Sequence, residues 1–444
     1  MLLLAVSAFA FAGVYLSTLI VPSVLCIVMA IACRPWAGLT LRRPWSTDLW
    51  LIAAFAFTLI QLVPLPGPVV DVLSPYARDV WRRVSLDVPQ ALPLSVDVDG
   101  GVWAAIVTAC TLTAYLGARR VFARGGVRRV IRAIAAIGFA VSAIAIAQDA
   151  TGGGLMYWRW RPIEEGADPF GPFVNRNHFG TWVVLAVPLV LGYLAAHAAA
   201  HPRSRAAARW RSRIAAFAES RTIWLTAAAG FMLVALVVTL SRSAMFGIAV
   251  ALAVTPWFRP AHGRAVHGRP GRWIAAGLLI AAAALIRVDP AALGARLAAA
   301  PVSLAGRIEI WRDTVPVLRD FWLTGTGAGT YETVMLIYQR SSLEVRFNQA
   351  HNHYLQVAAE GGLLLVLPLV LACRGFIRDA VTALANDRSG MYLVRAGACC
   401  GLAGAAAQSV WETGLTTPAN AMLAAVIAAI AVHAPVPADR PEDA

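Results

Sequence analysis

The sequence predicts an all-α, polytopic integral membrane protein, and three observations predict it. Of the 444 residues, 59% are hydrophobic and only 14% are charged. Apolar runs of about 15 to 22 residues recur along the whole length, each enough for a helix to cross a hydrocarbon core of ~30 Å. Arginines also gather in alternate connections between those runs. The net charge of +14 would suggest a nucleic-acid partner in a soluble chain. Here the basic residues sort by side of the bilayer, so no nucleic acid is expected. All 38 are arginine.

The first element is an N-terminal apolar block, 2–32. At ~1.5 Å per residue it reaches ~46 Å, barely enough for two short spans. Ser17, Thr18, Pro22 and Ser23 lie where a hairpin would break it. Further spans are expected near 49–63, 101–118, 130–149, 179–199, 222–240, 243–258, 273–287, 351–373, 392–410 and 418–434. The connections 33–48, 119–132, 203–221, 259–272 and 374–395 hold 23 arginines against four acids, which assigns them to the cytoplasm. The tail, 435–444, falls on the same side. An even count then gives about 12 transmembrane helices, or 11 if the N-terminal block crosses once. No basic stretch precedes Leu2 to Ala12, so the chain is expected to enter the membrane uncleaved. The six cysteines lie in or near spans and indicate neither a disulfide framework nor a cysteine metal site.

The expected organisation is a single transmembrane domain, 1–444, with one large outer loop, 288–350, inserted between spans and forming part of the active site. Loops of that length usually have a task. Within it Leu304, Ile308, Trp311, Val315, Leu318 and Trp322 recur at helical spacing. They predict an amphipathic helix, lying on the bilayer surface and bent at Pro316.

Polar groups at membrane depth are costly and usually face a cavity. Four sets cluster on the outer side by this topology: Asn175-Arg176-Asn177-His178, the turn Ser241-Arg242-Ser243, the arginines 307, 312 and 319, and Ala350-His351-Asn352-His353 leading to Glu360. Arg242, between two apolar runs, either snorkels to headgroups or faces an internal cavity. Arginine's planar fork suits phosphate oxygens, and two or three together can hold a pyrophosphate without a metal.

Residues two apart on a helix point about 200° from each other, so His351 and His353 cannot both face one cavity from within it. A His-x-His metal site with His178 suits a strand better than a helix, and no metal is expected. A histidine here is either an interfacial residue or a proton acceptor. Gly325-Thr326-Gly327-Ala328-Gly329-Thr330 lacks the βαβ context of a nucleotide site; it is read as a tight turn offering N–H groups to an anion. Met156 to Arg161 reads as interfacial aromatic belt, with sugar stacking as its functional alternative.

The order of Ser241-Arg242-Ser243, Gly306-Arg307-Ile308-Glu309-Ile310-Trp311, Gly325-Thr326-Gly327-Ala328-Gly329 and Ala350 to Gly362 resembles the O-antigen ligase and O-antigen polymerase superfamily. Phe173 to Phe179 and Leu92 to Asp97 are similar to its recurrent outer-loop segments, so the resemblance covers roughly 90–370. It implies a GT-C-like, largely helical, metal-independent inverting glycosyltransferase of the bacterial inner membrane, without a cofactor and with its active site facing the periplasm. The implied donor is a glycan on undecaprenyl diphosphate, and the implied acceptor is a sugar hydroxyl of lipid A-core or another glycan. Carried over by position, His351 assists the attacking hydroxyl and Arg242 and Arg307 hold the diphosphate. Arg176, Asn177, Asn352, His353, Arg312 and Glu360 are the expected substrate-binding residues. The chain departs from the family in adding His353, and in following Gly361-Gly362 with Leu363-Leu364-Leu365.

A polymerase or a protein O-oligosaccharyltransferase would use the same chemistry. A lipid-linked glycan transporter or flippase is the alternative from another class. Transporters place substrate groups near the midplane and often show repeats; here the polar sets lie at the outer rim and no repeat is visible.

Overall fold

The structure is a computed structural model that describes residues 1–41, 43–84, 90–163, 167–200, 220–258, 300–341 and 346–433. The expected span 273–287, the connection 259–272, most of 203–221 and the tail lie outside the described residues. The fold is mostly helical; its one sheet among the described residues pairs β1 (Leu65–Pro66) with β2 (Ala91–Leu92) antiparallel. In chain order the helices are α1 (Leu2–Phe9), α2 (Leu16–Cys33), α3 (Thr47–Ile60), α4 (Gly67–Leu73), α5 (Ala77–Val84), α6 (Val98–Phe122), α7 (Val127–Thr151), α8 (Arg176–Ala200), α9 (Ser220–Val238), α10 (Arg242–Ala253), α11 (Ala300–Asp320), α12 (Tyr331–Tyr338), α13 (His353–Asn386), α14 (Met391–Gln408) and α15 (Pro418–Val432).

Among the described residues five helices, α2, α6, α7, α8 and α13, are long and apolar enough to cross a membrane by length and composition; α3, α9, α10 and α15 are shorter apolar helices. Exposure agrees with lipid as the solvent. Only 17% of α2 is buried, and α13 leaves Leu363, Leu367, Val370, Ile377 and Val381 exposed along one face. Exposed Arg374 interrupts the stripe, and its apolar stretch from Leu363 to Val370 is unfavourable in water and neutral in hydrocarbon.

The N-terminal block breaks earlier than expected. The break lies between Ala10 and Tyr15, where Phe11, Ala12 and Gly13 have φ of 52°, 55° and 76°. Pro22 is absorbed into α2, and the hydroxyls of Thr18 and Ser23 donate back to Tyr15 and Leu19 carbonyls. Such back-bonding satisfies a hydroxyl without opening a helix. The break is held instead by Phe11, whose ring meets Tyr157 and Trp160 edge-on, and by the Tyr157 hydroxyl donating to the Phe9 carbonyl. The eight residues of α1 extend only ~12 Å.

Helix α8 is the axis of the bundle, with 78% of its span buried. Small residues let α14 approach both α8 and α10 closely: a Cβ on Gly397 would lie 2.4 Å from the Pro188 carbonyl oxygen, and one on Gly404 2.5 Å from that of Gly247. Close backbone packing at small residues is how helices associate where no hydrophobic force separates them from lipid.

A second, smaller core caps one end of the bundle. Val70, Val80, Leu92 and Val96 pack there with Ile310, Val317, Phe321, Tyr331 and Val334. The expected amphipathic helix is present as α11, but the expected stripe is not its buried face. Leu304, Ile308, Val315 and Trp322 are exposed, while Ile310, Thr314, Val317 and Phe321 are buried. The buried face lies next to the predicted one because the cap core rewards it: the Thr314 hydroxyl pairs with the Tyr331 hydroxyl at 2.7 Å. Pro316 remains inside a continuous helix.

The cap is fastened to α13 where that helix breaks. Gly362 has φ 56° and ψ −164°, a region essentially reserved for glycine. The freed backbone groups pair with the strap 322–327: Leu363 N–H donates to Trp322 O at 2.8 Å, Leu364 N–H to Leu323 O at 3.0 Å, and Gly327 N–H to Glu360 O at 2.9 Å. Gln61 fills the gap, donating to the Thr324 and Glu360 carbonyls and accepting from Ala328 N–H. The glycine-rich segment is a turn with positive φ at Gly325, Gly327 and Gly329. The anion its N–H groups meet belongs to the protein: Gly329 and Tyr331 donate to the Glu360 carboxylate.

Candidate active site

Five segments converge beneath the cap: the start of α8, the α9–α10 turn, Arg307 on α11, residues 349–352 ahead of α13, and the α14–α15 turn. Their meeting point is Glu412, which is completely buried. Its Oε1 lies 3.4 Å from His351 Nδ1 and 3.8 Å from His178 Nε2, and its Oε2 lies 3.8 Å from an Arg307 terminal nitrogen. Arg242 is close enough to act electrostatically on Arg307. Thr413 N–H donates to Oε1 at 3.2 Å.

Charge in this cluster is asymmetric. Burial alone would raise the pKa of Glu412, but the His351 hydrogen bond and the charges of His351, His178 and Arg307 outweigh it and hold the carboxyl at about 2. Burial weakens the proton affinity of Arg307; Glu412 opposes this and Arg242 adds to it. The ionised carboxylate faces the Arg307 guanidinium, and Arg242 adds a second positive charge beside Arg307. Glu412 Oε2 and His178 Nε2 are buried and make no hydrogen bond among the described residues. Buried polar atoms left in this state mark a place where a ligand or water is received.

His351 owes its position to the backbone. It has φ 47°, rare for a residue with a side chain, and it stands before α13 rather than on it. Asn352 is the N-cap, its side chain accepting from Leu355 N–H at 3.0 Å. On one side of His351, the Trp311 indole donates to the Ala350 carbonyl at 2.9 Å, and Ala350 N–H donates to Gln356 at 3.1 Å. Trp311 also packs on Trp411, with ring centroids 5.7 Å apart. The Thr413 hydroxyl donates to the Gln349 side chain. The turn therefore aims the imidazole at Glu412 while the next histidine starts the helix.

The other candidates fall into distinct places. Arg242 opens α10 and is exposed; Ser241, its N-cap, donates to Asn177 Oδ1 at 2.7 Å, so Asn177 joins the α8 start to the Arg242 turn. Arg176 pairs with Asp168 and donates to the Thr239 carbonyl at 3.4 Å. The His353 imidazole has its Nδ1 buried without a hydrogen bond among the described residues, and its backbone N–H donates to the Ser409 carbonyl at 2.8 Å. Glu360 holds the glycine turn. Arg312 is exposed and lies about 140° around α11 from Arg307.

Two partners of the cluster do not stand out in the sequence as site residues. Glu412 lies in Trp411-Glu412-Thr413-Gly414, a polar turn between two apolar runs, which is the pattern that draws attention to Arg242. His178 lies in a polar set already noted, but only folding pairs its Nδ1 with the Thr417 hydroxyl at 2.8 Å and turns its Nε2 toward Glu412. Among the described residues no three His, Cys, Asp or Glu side chains are arranged to hold a metal ion.

Chemically, the cluster combines an imidazole braced by a carboxylate with two cationic groups. The first suits proton transfer and the second suits anion binding. This site lies in a mostly helical membrane protein, and residues 212–370 match the family model described as O-antigen ligase. The matched stretch contains Arg242, Arg307 and His351. Glu412 and His178 lie outside it. No curated protein matches the chain.

Proposed function

We propose that the protein is an O-antigen ligase-like glycosyltransferase that moves a glycan from undecaprenyl diphosphate to a sugar hydroxyl of lipid A-core at the periplasmic face of the inner membrane. The observation that carries this reading is the convergence of His351, His178 and Arg307 on Glu412, with Arg242 close enough to Arg307 to act on it electrostatically. His351 accepts the proton of the acceptor hydroxyl, and that oxygen forms a bond to the anomeric carbon from the face opposite the diphosphate. The bond from the anomeric carbon to the phosphate oxygen breaks, and undecaprenyl diphosphate leaves with the electron pair. Arg242 and Arg307 stabilise the charge as it develops, which requires no metal and inverts the anomeric configuration. Glu412 is a positioning residue: it orients the imidazole and stabilises its protonated form, as the carboxylate of a catalytic triad does.

In this reading Arg176 and Asn177 line the donor side, Asn352 and His353 set the His351 turn, Arg312 meets substrate at the outer lip, and Glu360 holds the glycine turn that borders the pocket. The topology in this reading is about twelve spans, or eleven if the N-terminal block crosses once, with 288–350 as the periplasmic loop. The turn of the N-terminal hairpin contacts Tyr157 and Trp160 of the outer connection, which supports that direction of travel, although α1 is short.

The decisive assay combines purified protein, lipid-diphosphate glycan and lipid A-core. Wild type is expected to transfer the glycan; His351→Ala and Arg307→Ala are expected to lose activity by about 100-fold or more. Transfer that survives both substitutions contradicts this mechanism. Transfer to the growing glycan, but not to lipid A-core, would make the enzyme a polymerase. Transport without transfer would make it a flippase.

A further inference from the structure

The far end of the bundle carries a basic hollow that the transfer reaction does not use. Helices α6 and α15 both run from the site end to this end, where α6 finishes with Arg119 and Arg120 and α15 gives way to His433. Two cavities open here. One, about 220 Å³, is lined by Pro35, Gly38, Arg119, Arg120 and His433 among others. The second, about 190 Å³, is lined by Thr40, Arg43, Ser46, Arg119, Arg378 and Asp379. Arg119 and Val432 border both, so the two cavities adjoin on either side of these residues.

Its charges do not balance. Arg119 pairs with the fully buried Asp48, and Arg378 with Asp379 at 2.8 Å. Asp48 is further occupied by the Thr40 N–H and hydroxyl at 3.0 and 2.9 Å, and Asp379 accepts from the Thr47 hydroxyl at 3.2 Å. Both carboxylates are thus committed. Arg43 and Arg120 have no ion pair or side-chain hydrogen bond among the described residues, and Arg120 Nε is buried without an acceptor. A guanidinium nitrogen buried without an acceptor is costly, and an oxygen ligand removes that cost.

The surroundings set the depth of the hollow. Trp36 and Trp45 are exposed on the segment beside it, and the Arg374 guanidinium sits 4.4 Å over the Trp45 ring. Exposed tryptophans with arginines mark the headgroup level of a bilayer, and basic pockets between helix ends suit phosphate-bearing headgroups. We propose that this hollow binds the phosphate group of an anionic phospholipid, with Arg120 as its principal contact, Gly38 leaving the space in which the phosphate sits, and Arg43 adding positive charge from the adjoining cavity.

The test uses the full chain in bilayers of phosphatidylcholine with or without phosphatidylglycerol, and native mass spectrometry to count retained phosphatidylglycerol. Arg120→Gln and, separately, Gly38→Leu, which fills the hollow without altering charge, are each expected to lower retention about tenfold. Arg128→Gln, which removes an exposed arginine at the same end, is expected to leave it unchanged. Inorganic phosphate is tested on the protein in neutral detergent, with thermal unfolding as the readout. Protection of wild type but not of Arg120→Gln by phosphate alone, with no preferential lipid retention, would assign the site to a free phosphate rather than a headgroup and overturn the lipid proposal. Equal lipid retention by wild type and Gly38→Leu would also overturn it. Where Arg120→Gln fails to fold, the retention measured for Gly38→Leu decides alone.

Discussion

Glu412 and His351 illustrate how burial and charge act together at single residues. The carboxyl of Glu412 is depressed to about 2 in the folded protein, well below its ordinary value near 4.5. A group depressed on folding contributes stability above its unfolded pKa and loses that contribution as pH falls through the folded value. The contribution is therefore complete above about pH 5 and disappears between there and about pH 2. Thermal unfolding in detergent across this range should fall more steeply for wild type than for Glu412→Gln, and parallel curves would contradict the ion cluster. In the transfer assay Glu412→Gln should reduce kcat more than KM, by about 10- to 100-fold, and move the acidic limb of the pH profile to lower pH. A merely structural role for Glu412 would leave that limb in place.

At the scale of elements, the break in α13 is the feature on which the site depends. A Cβ on Gly362 would meet the Leu323 carbonyl oxygen at 2.6 Å, and one on Gly325 would meet the Glu360 oxygen at 2.2 Å, both at positive φ. Gly362→Ala or Gly325→Ala should destabilise the protein by about 1 to 3 kcal/mol, measured as a lowered unfolding midpoint. Because the strap 322–327 connects α11 to α12, either change should also lower transfer activity at temperatures where the protein remains folded. The exposed apolar face of α11, Leu304, Ile308 and Val315, together with Trp322 just beyond its end, points to contact with the bilayer surface. Trp322→Asp should reduce binding of lipid-linked donor while sparing turnover at saturation, seen as a raised KM.

For the whole molecule, sidedness is the property to test. In a background lacking the six native cysteines, Arg312→Cys should react in intact cells with a membrane-impermeant maleimide, and Arg128→Cys should react only after the cells are opened. The reverse pattern would invert the proposed topology. Helices α8, α10 and α14 pack closely at Gly247, Gly397 and Gly404. The cap core, attached through the α13 break, is where substrate-linked motion is expected to concentrate.

Hydropathy and arginine placement are enough to read the membrane class, most helix positions and the existence of α11, because each is a sum over some twenty neighbouring residues. Helix geometry separates His351 from His353 only if both lie on the helix, and the helix begins at His353. The tertiary structure alone decided that His351 stands outside the helix with a left-handed backbone, and that the buried face of α11 is Ile310, Thr314, Val317 and Phe321. It also placed the N-terminal break before Ser17 and brought Glu412 and His178 together across more than 200 residues of chain. These outcomes depend on contacts of 3 to 4 Å between distant segments, and such contacts have no signature in the periodicity of any one of them.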